Sequence, residues 1–368
     1  MRILFVINRL IQGGAETQVI SLSRELVSRG HSVLVYTLHA DNPRADELAG
    51  SAVTVVADTK HTKFDPGLVL RIRRTIRDFN ADIVHGFLLE GNLYARLAAA
   101  RTPVPALNSE RNDNYQIPFR HKLALALTRH MASGVVANSH AGARFAQDLF
   151  GLPPEQVDVV WNGLKEAEDR RKRPRTRALV REFFPSTPAA KVAVVVAMFR
   201  PQKDHVLALQ TAQVLVSRDP SWRVLFVGDS LPHTEKYKQQ VLRVRDELGL
   251  ADVVQFAGLR QDVPEILKQS NLLLSTSLHE GFPNVVIEAM SAGTPVVSTD
   301  YSDIKQILPN AWQVIEGRNP SDLADAVVRA DGERARISRQ QRKWLRSNAT
   351  LAMEVDRLEA VYRKYIAA

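Results

Sequence analysis

Residues 3–30 read ILFVINRLIQGGAETQVISLSRELVSRG, and this stretch decides the fold class. Positions 3–7 are apolar throughout, as a parallel strand covered on both faces must be. The chain then passes through Gln12, Gly13 and Gly14 into a helical pattern over 16–29, where Val19, Leu22 and Leu26 share one face. Gly30 can take the left-handed conformation that ends a helix, and residues 31–37 follow as a second strand. Further outward, residues 82–86, 134–137 and 157–160 are short, mostly apolar runs separated by helical pattern. That alternation builds a parallel α/β sheet.

Between 165 and 190 the composition changes. Arg170, Arg171, Lys172, Arg173, Arg175, Arg177 and Arg181 interleave with Pro174, Pro185 and Pro188, which marks a domain boundary. The alternation then restarts, with strands expected at 192–199, 222–227, 253–256, 272–275 and 295–298. Helices are expected at 206–216, at 237–248 and after Pro283, and 336–366 reads as helices rich in Arg and Lys. The expected organisation is a Rossmann-like domain over 1–164, a basic linker over 165–190, a second Rossmann-like domain over 191–345 and a last helix over 346–368.

Composition narrows the function classes. Hydrophobic residues at 45% and charged residues at 24% argue against disorder, a fibre or a membrane span. The net charge of +9 points to phosphates or an anionic membrane face. Nucleic acid would also match that charge, but no recognition motif or interleaving of basic and aromatic residues accompanies it. The absence of cysteine excludes a disulfide framework, a thiolate zinc site and a cysteine nucleophile. The apolar run at 3–7 is too short for a signal peptide, so a cytoplasmic protein is expected.

The chemistry concentrates in residues 279–297, HEGFPNVVIEAMSAGTPVV. Pro283 suits the first turn of a helix that Gly293 ends, so the amides near Gly281, Phe282, Pro283, Asn284 and Val285 form a positive terminus suited to a phosphate. Glu280 precedes that terminus and Glu288 lies about a turn inside it. Carboxylates in both places can accept sugar hydroxyls; the plainer reading is one loop glutamate and one exposed helix glutamate. Arg200 and Lys203 leave the strand over 192–199 at its carboxyl end, where open α/β sheets bind ligands, or else form a solvated loop. His85 ends the strand over 82–86, where a packed histidine is the alternative to a catalytic one. Gly13 and Gly14 either let backbone approach a diphosphate or make a tight turn.

The spacing of Glu280 and Glu288, with seven residues between, resembles the EX7E element of the retaining, GT-B-fold glycosyltransferases of family 4. The resemblance runs along nearly the whole chain: GGAE at 13–16, VHGF at 84–87, NS at 138–139, WNG at 161–163, FRPQKD at 199–204, VGD at 227–229 and FAGLRQDV at 256–263. It implies two Rossmann-like, doubly wound domains facing a cleft, with the C-terminal helix crossing back to the first. It also implies that a nucleotide sugar, a UDP-sugar first with a GDP-sugar as the alternative, binds mainly to the second domain. Arg200 and Lys203 would neutralise the leaving diphosphate without a metal or other cofactor. Glu280 would hold the donor sugar, Glu288 the ribose, and Gly13 and Gly14 would cover the diphosphate. His85 would touch the transferred sugar, although Phe87 stands where members of the family can carry a second histidine. The turn of Gly258, Leu259 and Arg260 resembles the one that contacts the base, usually through backbone. Residues 299–306 depart from the family pattern and receive no role.

The implied activity is transfer of a hexose-type sugar, with retention, to a glycan or polyprenyl-diphosphate-linked acceptor in bacterial surface polysaccharide or glycoconjugate synthesis. A nucleotide-sugar epimerase of the same fold is the alternative within enzymes, and a basic nucleic-acid-binding protein a remote one. Residues 117–131 form a basic amphipathic pattern, with Phe119, Leu123 and Leu127 on one face. That pattern and the arginine-rich residues 170–181 suggest a peripheral contact with an anionic membrane, or else a packed helix and a solvated linker.

Overall fold

The computed structural model describes residues 1–112, 125, 127–165 and 178–367. The chain divides into two compact units, Met1–Lys165 with Ala349–Ala368, and Glu166–Asn348.

The first unit is a seven-stranded, all-parallel sheet in the order β3-β2-β1-β4-β5-β6-β7. Its strands are β1 (Arg2–Ile7), β2 (Ser32–Thr37), β3 (Thr54–Ala57), β4 (Ile83–Gly86), β5 (Ala106–Glu110), β6 (Gly134–Ala137) and β7 (Val157–Val159). The described helices between them are α1 (Gly14–Ser28), α2 (Pro66–Asp78), α3 (Leu88–Ala99) and α4 (His140–Phe150). Gly30 sits just past α1 at φ +85°, the left-handed geometry expected where that helix stops. Helix α2 buries Leu68, Ile72 and Ile76 four residues apart and leaves its other face to solvent.

Two strands escape the sequence pattern. β3 is only four residues long, and β5 is fully buried yet carries Asn108, Ser109 and Glu110. An apolar-run criterion passes over β5 because its interior positions are polar. Asn92 explains part of this: its amide nitrogen donates to the Ser109 carbonyl at 3.0 Å and its carbonyl accepts from the Ser109 amide at 3.0 Å. Glu110 Oε1 accepts the Arg111 and Asn112 amides at 2.9 and 3.1 Å, while Asn108 Oδ1 is buried without a hydrogen-bond partner among the described residues.

The second unit is a six-stranded parallel sheet in the order β10-β9-β8-β11-β12-β13. It runs α5 (Ala178–Phe183), β8 (Lys191–Val196), α6 (His205–Arg218), β9 (Trp222–Val227), α7 (Glu235–Glu247), β10 (Val254–Phe256), α8 (Val263–Gln269) and β11 (Leu272–Ser275). It continues through α9 (Asn284–Ala292), β12 (Val296–Thr299), α10 (Ile304–Ile307), β13 (Val314–Ile315), α11 (Pro320–Gly332) and α12 (Arg334–Asn348). Residues 178–183 are therefore not linker: Leu179 and Val180 of α5 are buried, and the Leu179 amide donates to Gln269 Oε1 at 3.0 Å.

Strand β8 also stops three residues short of the expected 199. At that point Gly228, at φ +139°, brings its backbone so close to β8 that a Cβ there would lie 2.0 Å from the Ala197 carbonyl oxygen. Backbone bonds continue past this point, with the Ala197 amide donating to the Val227 carbonyl at 2.9 Å and the Phe199 amide to the Asp229 carbonyl at 3.0 Å, and the Phe199 ring is 1% exposed and stacks on His205 with ring centroids 4.4 Å apart.

The last helix, α13 (Leu351–Ile366), belongs to the first unit. Leu351, Val355, Leu358, Val361 and Tyr362 join the core that contains Leu22, Phe87 and Val160. Full burial of side chains of this size stabilises by roughly 1.5–3 kcal/mol each. Backbone bonds from the Leu164 amide to the Ala349 carbonyl, 3.0 Å, and from the Leu351 amide to the Leu164 carbonyl, 2.8 Å, seat its start. Among the described residues no helix is long and apolar enough to cross a membrane.

Candidate active site

The second unit gathers most of the residues singled out above at the carboxyl ends of β8 and β11. After β8, Arg200 opens a single 3-10 turn, Pro201–Lys203, and Asp204 closes it at φ +41°. Asp204 then caps α6 by accepting the Leu207 amide at 3.1 Å. After β11, Thr276 and Ser277 lead to Glu280. The Lys203 ammonium donates to Glu280 Oε1 in an ion pair, and Ser277 Oγ donates to the same oxygen at 2.8 Å. Both charged side chains are partly covered, 20% and 16% exposed, so their attraction is screened less than that of a surface pair. Glu280 Oε2 has no hydrogen bond among the described residues. Arg200 is exposed, and its guanidinium makes no ion pair among the described residues.

Helix α9 begins at Asn284, with Gly281, Phe282 and Pro283 buried before it, and ends at Gly293, φ +76°. The Val285 amide, in its first turn, has no acceptor among the described residues and marks the positive helix end. Glu288 lies one turn in, half-buried, and desolvation holds its carboxyl above the usual range. Gly281 is fixed from behind: its carbonyl accepts from Ser302 Oγ, and Ser302 is itself left-handed at φ +48°. Tyr301 and Ser275 hydroxyls meet at 2.7 Å, and Thr299 Oγ1 donates to the Ser277 carbonyl at 2.8 Å. Residues 299–306, to which the sequence assigned no role, are thus the floor under Glu280 and Gly281.

Arg260 is placed differently from a free ligand-binding cation. Its guanidinium is taken by Asp262 at 2.8 and 2.9 Å and by Glu182 at 2.7 Å, and it lies over Phe183. The side chain is therefore occupied, and what the turn offers is backbone, with Gly258 at φ +65° and Leu259 61% exposed. Asp229 of the VGD string pairs with Lys238 at 2.5 Å, which holds its carboxyl below the usual range.

The first unit holds the remaining residues. Gly13, in extended conformation, caps α1 and Gly14 begins it. His85 departs from the expectation of a sugar contact: its ring is 1% exposed, inside the core against Phe5, Phe87 and Tyr362. Its Nδ1 lies 2.7 Å from the Tyr362 hydroxyl and its Nε2 has no hydrogen-bond partner among the described residues. The cause is strand register. His85 stands at an interior position of β4 opposite Phe5, so its side chain points across the sheet face that α1 and α13 cover. Burial pushes its pKa down to about 3, with the Arg111 charge a smaller cause.

His85 borders a small cavity, about 10 Å³ and so of the order of one water, that Ser109, Arg111, Asn138 and Glu354 also line. Glu354 Oε2 accepts the Gly163 amide at 2.6 Å, and Arg111 donates to Asn162 Oδ1 at 2.8 Å. Desolvation pushes the Glu354 carboxyl up to about 8 against the opposing pull of Arg111. Sequence reading did not single out Arg111 or Glu354, because neither lies in a motif and only the folded chain buries them together. Residues 117–124 and 170–177 of the two basic segments lie outside the described residues.

Comparison with known proteins follows this geometry. Residues 12–168 match the family described as Glycosyltransferase Family 4, and residues 190–330 the one described as Glycosyl transferases group 1. The chain is 30% identical over 216 residues to a D-inositol 3-phosphate glycosyltransferase of Nocardia farcinica, covering 56% of this chain and 47% of that protein. It is 27% identical over 165 residues to the Vi polysaccharide biosynthesis protein VipC/TviE of Salmonella typhi, covering 45% of this chain and 28% of that protein. The aligned stretches span less than half the length of either relative. Anabaena Alr3699/HepE, solved in complex with UDP, superposes with a TM-score of 0.83 at 19% identity, covering 99% of this chain and 100% of that one. Two family matches, running in order along a chain of two parallel α/β sheets, establish that the protein belongs to the GT-B glycosyltransferases of family 4, group 1, and is a glycosyltransferase.

Proposed function

We propose that the protein takes a hexose-type sugar from a UDP-sugar held by the second unit and transfers it, with retention of configuration, to a glycan or polyprenyl-diphosphate-linked acceptor held by the first. The observation that carries this reading is the group formed by Lys203, Glu280 and Ser277 next to the amino terminus of α9. As the glycosidic bond breaks, negative charge develops on the leaving diphosphate. Arg200, Lys203 and the Val285 amide are fixed donors that stabilise it, the role preorganised dipoles and cations play in group transfer. Glu280 Oε2 accepts a hydroxyl of the donor sugar, while Ser277 holds the other oxygen and orients the carboxylate. Glu288 accepts the ribose hydroxyls. The backbone of Gly258, Leu259 and Arg260 contacts the base. The reading of retention is a same-face attack assisted by the leaving diphosphate, because no carboxylate is identified as a nucleophile on the opposite sugar face.

UDP in the Anabaena complex supports the choice of base, and the Salmonella relative's name supports a polysaccharide product. D-inositol 3-phosphate, in the name of the Nocardia relative, is the second acceptor to test. Peripheral docking on the inner face of the cytoplasmic membrane is part of the proposal. Its structural support is on α2 and just before it, where Phe64 and Leu70 are 52% and 63% exposed and Lys63, Arg74 and Arg77 are exposed beside them. Apolar side chains between basic ones suit an anionic lipid surface.

The test is a thermal-shift panel of UDP, GDP and their sugars. A ligand at 100 times its Kd stabilises by about 2.7 kcal/mol, so UDP should raise the melting temperature and GDP should raise it less. Absence of any shift with every nucleotide in the panel refutes the donor assignment. Release of UDP and an epimeric sugar without acceptor would favour the epimerase.

A further inference from the structure

We propose that Arg318 is a positioning residue that holds Lys203 on Glu280, an inference that rests on reading that pair as the donor site. Asp204, next to Lys203, occupies left-handed backbone at φ +41°, a region Asp enters more readily than most residues because its side chain can bond locally, as its Oδ1 does to the Leu207 amide. Arg318, in the loop between β13 and α11, takes the other carboxylate oxygen. Its Nη2 pairs with Asp204 Oδ2 at 2.5 Å and donates to the Thr276 carbonyl at 2.7 Å, and its Nη1 donates to the Ser277 carbonyl at 3.4 Å. Two further ties cross the same seam. Thr276 Oγ1 lies 3.0 Å from the carbonyls of both Lys203 and Asp204, and the Leu278 amide donates to the Gln202 carbonyl at 2.7 Å.

One guanidinium thus bolts the turn that carries Lys203 to the segment that carries Ser277 and Glu280. Arg318 makes no hydrogen bond to Lys203 or Glu280 among the described residues, so it acts through the backbone between them. A rigid planar fork is suited to three divergent acceptors, which a lysine ammonium on a flexible stem cannot reach together. Without the fork, the turn that carries Lys203 loosens from the segment that carries Ser277 and Glu280, and the Lys203 ammonium leaves Glu280.

Amine acetylation of the whole folded protein by sulfosuccinimidyl acetate, read peptide by peptide by mass spectrometry, tests this without a known acceptor. Lys203 in Arg318→Ala should react about fivefold faster than in wild type, the scale expected when a partly exposed ion pair is released. Arg318→Lys should lie between the two. Lys238, paired with Asp229 in the same unit, should keep its wild-type rate. Asp204→Asn keeps the helix cap and tolerates left-handed backbone but loses the charge facing Arg318, so Lys203 should react faster than in wild type there as well, which carries the test if Arg318→Ala folds poorly. Wild-type reactivity of Lys203 in Arg318→Ala and Asp204→Asn, or equal acceleration of Lys238, overturns the positioning role. Wild-type reactivity of Lys203 in Glu280→Gln removes the ion pair itself and overturns the site reading beneath.

Discussion

Replacing Glu354 by Gln should remove the loss of stability that this residue imposes on the first unit as pH rises from 5 to 7. Glu354 is 2% exposed, and burial pushes its pKa from 4.5 to about 8. A carboxyl raised in the folded state contributes stability that is fully present below its unfolded pKa and is lost as pH rises toward its folded pKa. At 1.36 kcal/mol for each unit of pKa difference, the loss accumulated by pH 7 is about 3 kcal/mol, most of it between pH 5 and 7. Glutamine keeps a carbonyl oxygen for the Gly163 amide and does not titrate, so the variant carries no such slope. Melting temperature moves by roughly 2–4 °C per kcal/mol in domains of this size. The melting temperature of Glu354→Gln minus that of wild type should therefore grow by roughly 5–10 °C from pH 5 to pH 7. His85, and His205 with its pKa lowered to about 4, are buried in both proteins, so their opposite slopes cancel in the difference. Scanning calorimetry or fluorescence at half-unit pH steps is the assay. A difference that stays flat across this window shows that Glu354 is ionised when folded, and the account of the buried cluster fails.

Lys203→Ala and Glu280→Gln should each lower donor turnover by roughly 10² or more with unchanged melting; near-normal UDP release by both would dismiss the site. Donor affinity should decline as pH falls through the raised pKa of Glu288, because ribose hydroxyls donate more strongly to the ionised carboxylate than to the neutral acid, whereas Glu288→Gln should bind more weakly than the ionised wild type and without that pH dependence. Isothermal titration from pH 8 to pH 4 checks this, and parallel pH profiles for the two proteins would count against Glu288. Sedimentation with anionic liposomes at low salt should be lost in Phe64→Asp and Leu70→Asp and weakened by salt, which screens charges beyond about 10 Å at 0.1 M; equal binding of the variants and wild type would remove α2 as the docking face.

The alternation of short apolar runs with helical periodicity was enough to place two parallel α/β sheets, because strands covered on both faces must be apolar at successive positions. It failed at β5, whose interior carries Asn108, Ser109 and Glu110 in full burial, polar residues that an apolar-run criterion does not count as strand. It also overran β8, whose regular pairing stops at Val196, while backbone bonds to the Val227 and Asp229 carbonyls run on beyond it. The motif around Glu280 and Glu288 was legible because a helix terminus is a local object, set by Pro283 and Gly293. The pairing of Lys203 with Glu280, residues 77 apart, was not, since no local rule connects the ends of two strands. His85 shows the limit from the other side: its place at the end of a strand invites a ligand contact, but register against Phe5 turns the ring into the core. Arg111, Glu354 and Tyr362 come together only when the last helix returns to the first unit, so their shared burial and its effect on protonation belong to the tertiary structure alone.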